Sequence, residues 1–389
     1  MRPGRSPALD LQVCFPVARE ASRYLWMLPF ALAGILFSSF WFRAEAPRIV
    51  AGVNDFMGIY AGARLVGTPA QFNAEAYIRE QERATGWSAP SILFTRLPAF
   101  AALLRPLGKL PYRRAYILWQ TASLAAFAGF LIFWPTLHRA LLLCAACWSF
   151  PLFACFAGGQ DISFLLLILA VAWRLGPSRP FAAGAMLALC ALKFHLFLVL
   201  PVFLIAQLRW RMLAGATVAG SAIAAMCFAV AGAGWLPDYA HFILQGQTNP
   251  NVRAMPNLHG LLDGLPHSLA WEIGGVILVA VAVAWIARHA SFSVGLSAAL
   301  AGSLLASHHA YPADALLLLP ALLTLAGSPR IPVRAISILL LSPLPFLVAP
   351  MVPLAAPAPL LLAALLLVLA VTVTAPPHPR PARFAAAAS

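Results

Sequence analysis

Acidic residues are scarce in this chain of 389 residues. Only 12 residues are Asp or Glu, against 26 Lys and Arg, and charged residues make up 10% of the sequence. Apolar residues make up 62%, and the mean hydropathy is +0.84. A soluble domain carries about 25% charged residues, so this composition indicates a polytopic membrane protein. The basic excess lies mostly in short loops, where it orients membrane proteins, so we expect no nucleic-acid partner.

The sequence also lacks a cysteine framework. Its six cysteines lie mostly inside apolar runs. Cys144 and Cys147 have the spacing of a metal or redox pair, but neither a second pair nor a histidine cluster accompanies them in the sequence. We therefore interpret them as small core residues. Because the sequence also offers no acidic pair to hold a divalent ion, we predict no metal and no cofactor.

Long apolar runs are abundant. A helix needs roughly 20 apolar residues to cross a bilayer. Candidate runs lie at about 24–42, 92–107, 113–134, 140–156, 161–175, 181–192, 194–208, 212–234, 271–287, 291–306, 311–327, 333–349 and 354–374. Several are too short to span alone. We predict an all-α membrane domain over residues 1–374, with about 11–13 transmembrane or re-entrant helices, and a disordered cytoplasmic tail over 375–389.

Basic clusters predict the topology of the chain. The first run follows four arginines and lacks a small-residue cleavage site, so it reads as an uncleaved anchor with a cytoplasmic N-terminus. Cytoplasmic turns are expected at residues 105–114, 174–179, 209–211, 288, 330–334 and 380–383. The extracytoplasmic segments are then 43–90, 235–270 and 307–311. This scheme gives an odd number of crossings between Arg114 and Arg174, so either 92–107 or 140–156 should fail to span.

The first extracytoplasmic loop, residues 43–90, concentrates acidic residues. Five of the 12 acids lie there: Glu45, Asp55, Glu75, Glu80 and Glu82. Helical spacing of apolar residues after Asp55 predicts a short helix on the membrane surface, and a second helix is predicted from Ala74 to Thr85. Asp55 fits two interpretations equally well from this local pattern. It is either the N-cap of the first helix or a general base at the lip of the bilayer.

Other polar residues predicted on the same side can neutralise an anion. Lys193 interrupts an apolar stretch, where an ionisable group is costly enough to suggest a role, although a lysine reaching the interface is the alternative. His308 and His309 open a later helix and fit either phosphate binding or helix capping. Three further residues belong to the second external segment and are candidates to close over a substrate: Arg253, Asn257 and His259.

Several motifs follow one another in a recognisable order. They are Asn54-Asp55-Phe56 with Tyr60 and Ala63-Arg64, Leu107 to Trp119, Gly159-Gln160, Ala191-Leu192-Lys193, Met255 to Leu262, and Ser307-His308-His309 ahead of Tyr311-Pro312 and Asp314. This order resembles the integral-membrane glycosyltransferases of the GT-C fold. It is most similar to glycosyltransferase family 87, also called the DUF2029 family. The known activities of that family include polyprenyl-phosphate-mannose-dependent mannosyltransferases.

The resemblance implies a GT-C fold and transfer of a hexose, with mannose as the family expectation, from a polyprenyl-phosphate donor to a glycolipid or glycan acceptor. It places the catalytic base at Asp55. It makes Lys193, His308 and His309 contacts for the donor phosphate. Arg64 and Arg253 are additional phosphate candidates, and the expected substrate-binding residues are Asn54, Tyr60, Gln160, Asn257 and His259. The expected location is the bacterial plasma (inner) membrane, among membrane lipids of the cell envelope, with the site facing outward.

The sequence departs from the family pattern at three places. Arg96-Leu97-Pro98 stands where Tyr-Pro-Pro is usual, Phe194 replaces a proline after the lysine, and Asp161 follows Gly-Gln. These departures leave a catalytically inactive relative as an alternative. A multi-pass transporter or lipid flippase is the rival from another class, and it predicts ionisable groups along several helices and inverted repeats. Here the polar residues are expected on one side of the membrane.

Overall fold

A computed structural model describes residues 27–87, 92–134, 139–245, 252–347 and 357–373, and within these ranges the chain forms helices and loops without strands. In the first half, the helices are α1 Leu28–Phe42, α2 Ala46–Ala51, α3 Phe56–Leu65, α4 Ala74–Thr85, α5 Pro98–Leu103, α6 Arg105–Gly108, α7 Tyr112–Phe133, α8 Arg139–Trp148, α9 Phe150–Ala157 and α10 Ile162–Leu175. The N-terminal arginines and the tail 375–389 lie outside the described residues.

The second half continues with helices of very different lengths. They are α11 Pro180–Ala188, α12 Leu200–Ala206, α13 Trp210–Ala231, α14 Trp235–Gln245, α15 Leu258–Leu262, α16 Ser268–His289, α17 Phe292–Ala306, α18 Leu319–Ala326, α19 Ile331–Leu341, α20 Leu344–Leu347 and α21 Pro357–Thr372. Short 3₁₀ segments occupy Arg43–Glu45, Leu189–Phe197, Val252–Ala254 and Asp314–Leu318.

Among the residues that the structure describes, four helical stretches are long and apolar enough to cross a membrane. They are α7, α11 with its 3₁₀ continuation, α13 and α16, and the bent pair of α8 and α9 makes a fifth if it is one span. The predicted class, an all-α polytopic membrane protein, is confirmed. The expected 11–13 helices included re-entrant ones, and the described residues hold, besides these spans, five shorter apolar helices of 10–17 residues. At 1.5 Å per residue, these are shorter than a hydrocarbon core of about 30 Å.

Neither of the two apolar runs expected to include one that fails to span, 92–107 and 140–156, forms a straight membrane-spanning helix. Residues 92–107 yield α5 and α6, of six and four residues, and both pack against α3. The run 140–156 forms α8 and α9, which are bent by 75° at Ser149. Pro151 lies in the first turn of α9, and a proline has no N–H to continue a helix across this break.

The two ends of α7 lie at opposite sides of the helical bundle. At its start, the Tyr112 hydroxyl donates a hydrogen bond to the Gly52 carbonyl oxygen. Gly52 belongs to the loop of residues 43–87, which we call the external loop after the side on which the sequence predicts it. At its end, the Phe133 carbonyl oxygen accepts a hydrogen bond of 2.7 Å from Arg174 Nε, in the last turn of α10. Gln160, just before α10, lies at Asp55 on the side of the external loop, so α7 and α10 both start on that side and run parallel.

The basic clusters 105–114 and 174–179 consequently lie on opposite sides, so the expectation that both are cytoplasmic is wrong. The first cluster binds the external loop. Arg105 Nη2 donates a 3.1 Å hydrogen bond to the Val66 carbonyl oxygen. Positive charge here serves local contacts, and the positive-inside rule cannot place both clusters in the cytoplasm. With this correction α7, the bent pair and α10 give three crossings between opposite sides, and the odd number is no longer a contradiction.

The external loop is an ordered layer with its own apolar core. Helices α3 and α4 confirm the two helices predicted there. All residues from Phe56 to Ala63 are buried, so α3 lies under the layer rather than on its surface. Phe56, Tyr77 and Phe242 are among the large side chains of this core, which the start of α7 completes. This packing fixes the residues just before α3.

Candidate active site

Asp55 is the last residue before α3, but its side chain makes no capping hydrogen bond. The first free N–H of the helix, that of Phe56, donates instead to Asn54 Oδ1 at 3.1 Å. The Asp55 carboxylate oxygen Oδ2 accepts a hydrogen bond from Gln160 Nε2. Asp55 thus occupies the N-cap position, but its side chain does not cap the helix, and its half-buried carboxylate faces a polar cluster.

Gln160 connects Asp55 to two cations. Its Oε1 accepts hydrogen bonds from Lys193 Nζ at 3.0 Å and from Arg96 Nη2 at 3.4 Å. Because both partners can only donate, they hold the amide oxygen towards themselves, which turns the NH₂ group towards Asp55. The preceding residue, Gly159, has φ +63°, and a Cβ there would lie 2.8 Å from Asn54 Oδ1. Glycine permits this turn and its close approach to the loop.

The cations behind Gln160 are paired with buried carboxylates. Arg96 Nε lies 2.7 Å from Asp161 Oδ2, and Lys193 Nζ lies 2.5 Å from Asp314 Oδ1. Lys193 is also 3.4 Å from Asp161 Oδ1. Buried charges persist in proteins when they are paired. Two cations and two anions balance, so Asp55 is a fifth charged group without a cation of its own.

This arrangement shifts the pKa values of Asp55 and Asp161 in opposite directions. Burial raises the pKa of Asp55 above its ordinary value, although Arg96 and Lys193 act in the opposite direction. Burial also disfavours ionisation of Asp161, but Arg96 and Lys193 outweigh it and lower the pKa of that group. Asp161 therefore stays ionised, whereas Asp55 is suited to exchange a proton.

The cluster is assembled from four separate parts of the chain. Arg96 precedes α5, Asp161 precedes α10, and Asp314 begins a 3₁₀ segment. Lys193 has non-helical dihedral angles, φ −131° and ψ 57°, at a kink in its 3₁₀ segment. Each group thus lies at a helix end or a kink, at the same side of the bundle as the external loop.

The predicted histidines lie beside this cluster. His309 packs against His195 with ring centroids 6.2 Å apart and against Tyr311 at 5.2 Å. Burial lowers the pKa of His309, so its imidazole is neutral near pH 7. His308 points elsewhere and meets His259, with a centroid distance of 4.0 Å.

Glu272, in the first turns of α16, holds this second pair of histidines. His308 Nδ1 lies 2.7 Å from Glu272 Oε1, and His259 Nδ1 lies 3.1 Å from Glu272 Oε2. The hydrogen bond to Glu272 raises the pKa of His308 above its ordinary value. The two histidines of the predicted His308-His309 element therefore belong to different clusters.

The two arginines predicted as phosphate contacts have other partners in the structure. Arg64 forms an ion pair with Glu80 and donates a hydrogen bond of 3.1 Å to the Gly108 carbonyl oxygen. Arg253 lies 3.2 Å from Asp263 at an exposed position. Both are apart from the ionic cluster in this structure, and their roles towards phosphate stay predictions.

Tyr60 and Asn257, predicted to bind substrate, have structural contacts. The Tyr60 hydroxyl donates to the Leu110 carbonyl oxygen at 2.7 Å. Asn257 is fully buried, and its side chain caps α15 by accepting from the Gly260 N–H at 2.8 Å. These contacts shape the loop and the second external segment, and substrate binding by either residue stays a prediction.

Three residues in the two clusters were not identified from the sequence: Arg96, Asp161 and Glu272. Arg96 and Asp161 were noted only as departures from a family pattern. Each is a charged residue within or beside an apolar run, and such a charge is costly unless it is paired. That rule, applied to every charged residue in an apolar run, would have found all three.

The fold and the site together define a class, namely a multi-pass membrane protein with a carboxylate poised beside a buried ionic cluster. The model of glycosyltransferase family 87 matches residues 94–328, more than half of the chain. The chain therefore belongs to glycosyltransferase family 87, as the resemblance of its motifs indicated. The matched range includes the ionic cluster and both histidine pairs, whereas Asp55 lies before it. No curated protein and no solved structure gives a match.

Proposed function

We propose that this glycosyltransferase transfers a hexose, mannose by family expectation, from a polyprenyl-phosphate donor to a glycolipid or glycan acceptor, with inversion at the anomeric carbon. Asp55 is the general base, and the site faces the extracytoplasmic side of a bacterial plasma membrane. One observation carries the assignment of the base. The Asp55 carboxylate does not cap its helix, and Gln160 aims it from a cluster whose other charges are already balanced.

The proposed reaction is a single displacement. The acceptor hydroxyl oxygen attacks the anomeric carbon while the bond from that carbon to the phosphate oxygen breaks. The hydroxyl proton passes to Asp55, and polyprenyl monophosphate leaves with the bonding electron pair. Because Gln160 binds Oδ2, the oxygen that receives the proton is Oδ1. The raised pKa of Asp55 makes it a better proton acceptor than an ordinary aspartate.

Positive charge next to the leaving group would stabilise the developing phosphate anion. Lys193 is already paired with Asp314, so we propose that it does not contact the phosphate. Its proposed role is to orient Gln160 and to contribute positive electrostatic potential to the site. The proposed direct contacts are two partly exposed histidines: His309 beside the ionic cluster and His308 in the neighbouring histidine pair. His308, whose pKa is raised by Glu272, can bring positive charge, whereas His309, whose pKa is lowered by burial, would act as a neutral hydrogen-bond donor. Arg64 and Arg253 could join them only by leaving Glu80 and Asp263.

The test is transfer of labelled sugar from polyprenyl-phosphate mannose to endogenous lipids in membranes that contain the protein. Wild type is compared with Asp55→Asn and Asp55→Ala at equal expression. Loss of a general base should lower the rate by about 10²–10⁴-fold. The control is Asp238→Asn, which removes an exposed carboxylate from α14 and should keep the wild-type rate.

Two results would contradict the proposal at different levels. If wild type transfers sugar and both Asp55 variants keep their rate, Asp55 is not the base. If wild type transfers nothing from mannose or glucose donors, the proposed donor is wrong, and transport of a lipid-linked substrate becomes the next activity to assay.

A further inference from the structure

His259, Glu272 and His308 form a second cluster of chemically reactive side chains. They come from α15, the first turns of α16 and the loop after α17. One ligand atom of each residue lies within 4.8 Å of the other two. The distances from Glu272 Oε1 to His308 Nδ1 and from Glu272 Oε2 to His259 Nδ1 are 2.7 and 3.1 Å. Three separate segments thus present two imidazoles and one carboxylate to a common point.

This set of donors is suited to zinc and related divalent ions. Zinc binds imidazole nitrogen and carboxylate oxygen at about 2.0–2.2 Å, which in a tetrahedral site separates neighbouring ligand atoms by about 3.3 Å. The observed nitrogen-to-oxygen distances, 2.7 and 3.1 Å, are hydrogen-bond lengths, so the three side chains would have to separate by a few tenths of an ångström to admit the ion. Magnesium and calcium prefer oxygen ligands, so two imidazoles disfavour them.

The three side chains differ in solvent exposure, which increases from Glu272 through His259 to His308. The Glu272 side chain is 7% exposed, His259 is 23% exposed and His308 is 45% exposed. A carboxylate in the first turns of a membrane-crossing helix needs compensating positive charge, because an ionisable group in an apolar segment is costly. A dication supplies that charge. The exposed side of His308 leaves a path by which the ion could enter from solvent.

We propose that His259, Glu272 and His308 form a binding site for one zinc-class divalent cation. The ion replaces the two Nδ1 protons that would otherwise face Glu272 and links three segments of the external side. It ties the segment around α15 to α16 and to the loop that carries His309. This inference is argued from the three side chains alone and is tested by metal binding rather than by sugar transfer, although His308 is also one of the phosphate contacts proposed above.

The test uses the full chain purified in detergent without a polyhistidine tag. The protein is stripped with a chelator, equilibrated with zinc and analysed for bound metal by mass spectrometry. We expect about one zinc per chain and a higher thermal midpoint in the zinc-loaded form. Glu272→Gln and His259→Ala should weaken zinc binding by more than about tenfold. His289→Ala, which changes an exposed histidine at the far end of α16, should bind as wild type does.

Two outcomes would overturn the site. Wild type that retains no zinc after equilibration excludes it, and equal zinc in wild type and both variants shows adventitious binding only. Because a variant can fail to fold, wild type is also titrated with Co²⁺. A saturable one-to-one visible absorption, displaced by Zn²⁺, supports tetrahedral nitrogen and oxygen ligation, whereas a lack of saturation refutes it.

Discussion

Replacing Lys193 with Met should destabilise the protein strongly. Lys193 Nζ lies 2.5 Å from Asp314 Oδ1, and the two side chains are only 6% and 4% exposed. Methionine keeps most of the apolar stem but leaves Asp314 ionised, buried and without its cation. Breaking a buried pair in this way costs about 3–5 kcal/mol. At about 2 °C per kcal/mol for a large chain, the thermal midpoint should fall by about 6–10 °C.

The measurement is thermal unfolding of purified protein in detergent. Lys109→Met is the matched control, because it makes the same chemical change at the other lysine of the chain, which is exposed, and should shift stability by less than about 0.5 kcal/mol. The double variant Lys193→Met/Asp314→Asn removes both charges. It should be more stable than the sum of the single effects predicts, by about 0.5–3 kcal/mol.

Two results would refute this reasoning. One is an unchanged midpoint for Lys193→Met, which would mean that the lysine is not paired in the folded protein. The other is additivity of the two single variants, which would mean that Lys193 and Asp314 do not interact. Either result would also remove the charge balance from which we argue that Asp55 is the group that exchanges a proton.

In a pH profile of the transfer rate, the fall on the acidic side should occur at a pH above the pKa range of an ordinary aspartate. The base must be ionised and the pKa of Asp55 is raised above 3.8, so the rate rises with pH through that higher value; a kcat/KM profile with a limb at the ordinary value would contradict this. Asp55→Asn should be more stable than wild type at alkaline pH. The raised pKa of Asp55 means that the wild type loses stability as the pH rises through this pKa and the carboxyl group ionises, whereas Asn does not ionise. In acid, where Asp55 is protonated, the difference in thermal midpoint should vanish. Gly159→Ala should lose about 1–2 kcal/mol and most activity, because its φ is +63° and its Cβ would meet Asn54. The control Gly220→Ala, at a helix position with open space around the Cβ, should match or exceed wild-type stability in the same melts.

The class of the protein and the order of the external loop were predictable because both depend on local signals. Composition alone indicates a membrane protein, and apolar spacing after Asp55 indicates α3. The family was also predictable, since its motifs follow one another along the chain. The common side predicted for the clusters 105–114 and 174–179 was wrong, because the sequence does not show that Arg105 binds the Val66 carbonyl oxygen.

The ionic cluster depends on contacts between residues far apart in sequence. Arg96 and Asp161 are separated by 65 positions, and Lys193 and Asp314 by 121. A single charged residue beside an apolar run indicates that some partner exists, but the sequence does not indicate which one. Glu272 is a similar case, since its two histidine partners are 13 and 36 positions away. Only the packing of the helices identifies these pairs.

Gln160 connects Asp55, which lies outside the range matched by the family model, to the ionic cluster, which lies inside it. The matched residues 94–328 contain Arg96, Lys193 and their carboxylate partners, but not Asp55. The cations fix the orientation of the Gln160 amide, and the amide in turn fixes Asp55 Oδ2. Any change that reverses or removes this amide should therefore misplace Asp55, the proposed base, even though every charged residue is retained. Gln160→Leu should accordingly lower kcat, and it should also lower the thermal midpoint, because the hydrogen bonds from Lys193 and Arg96 to the amide oxygen are lost. An unchanged kcat would show that Asp55 is positioned by its backbone alone.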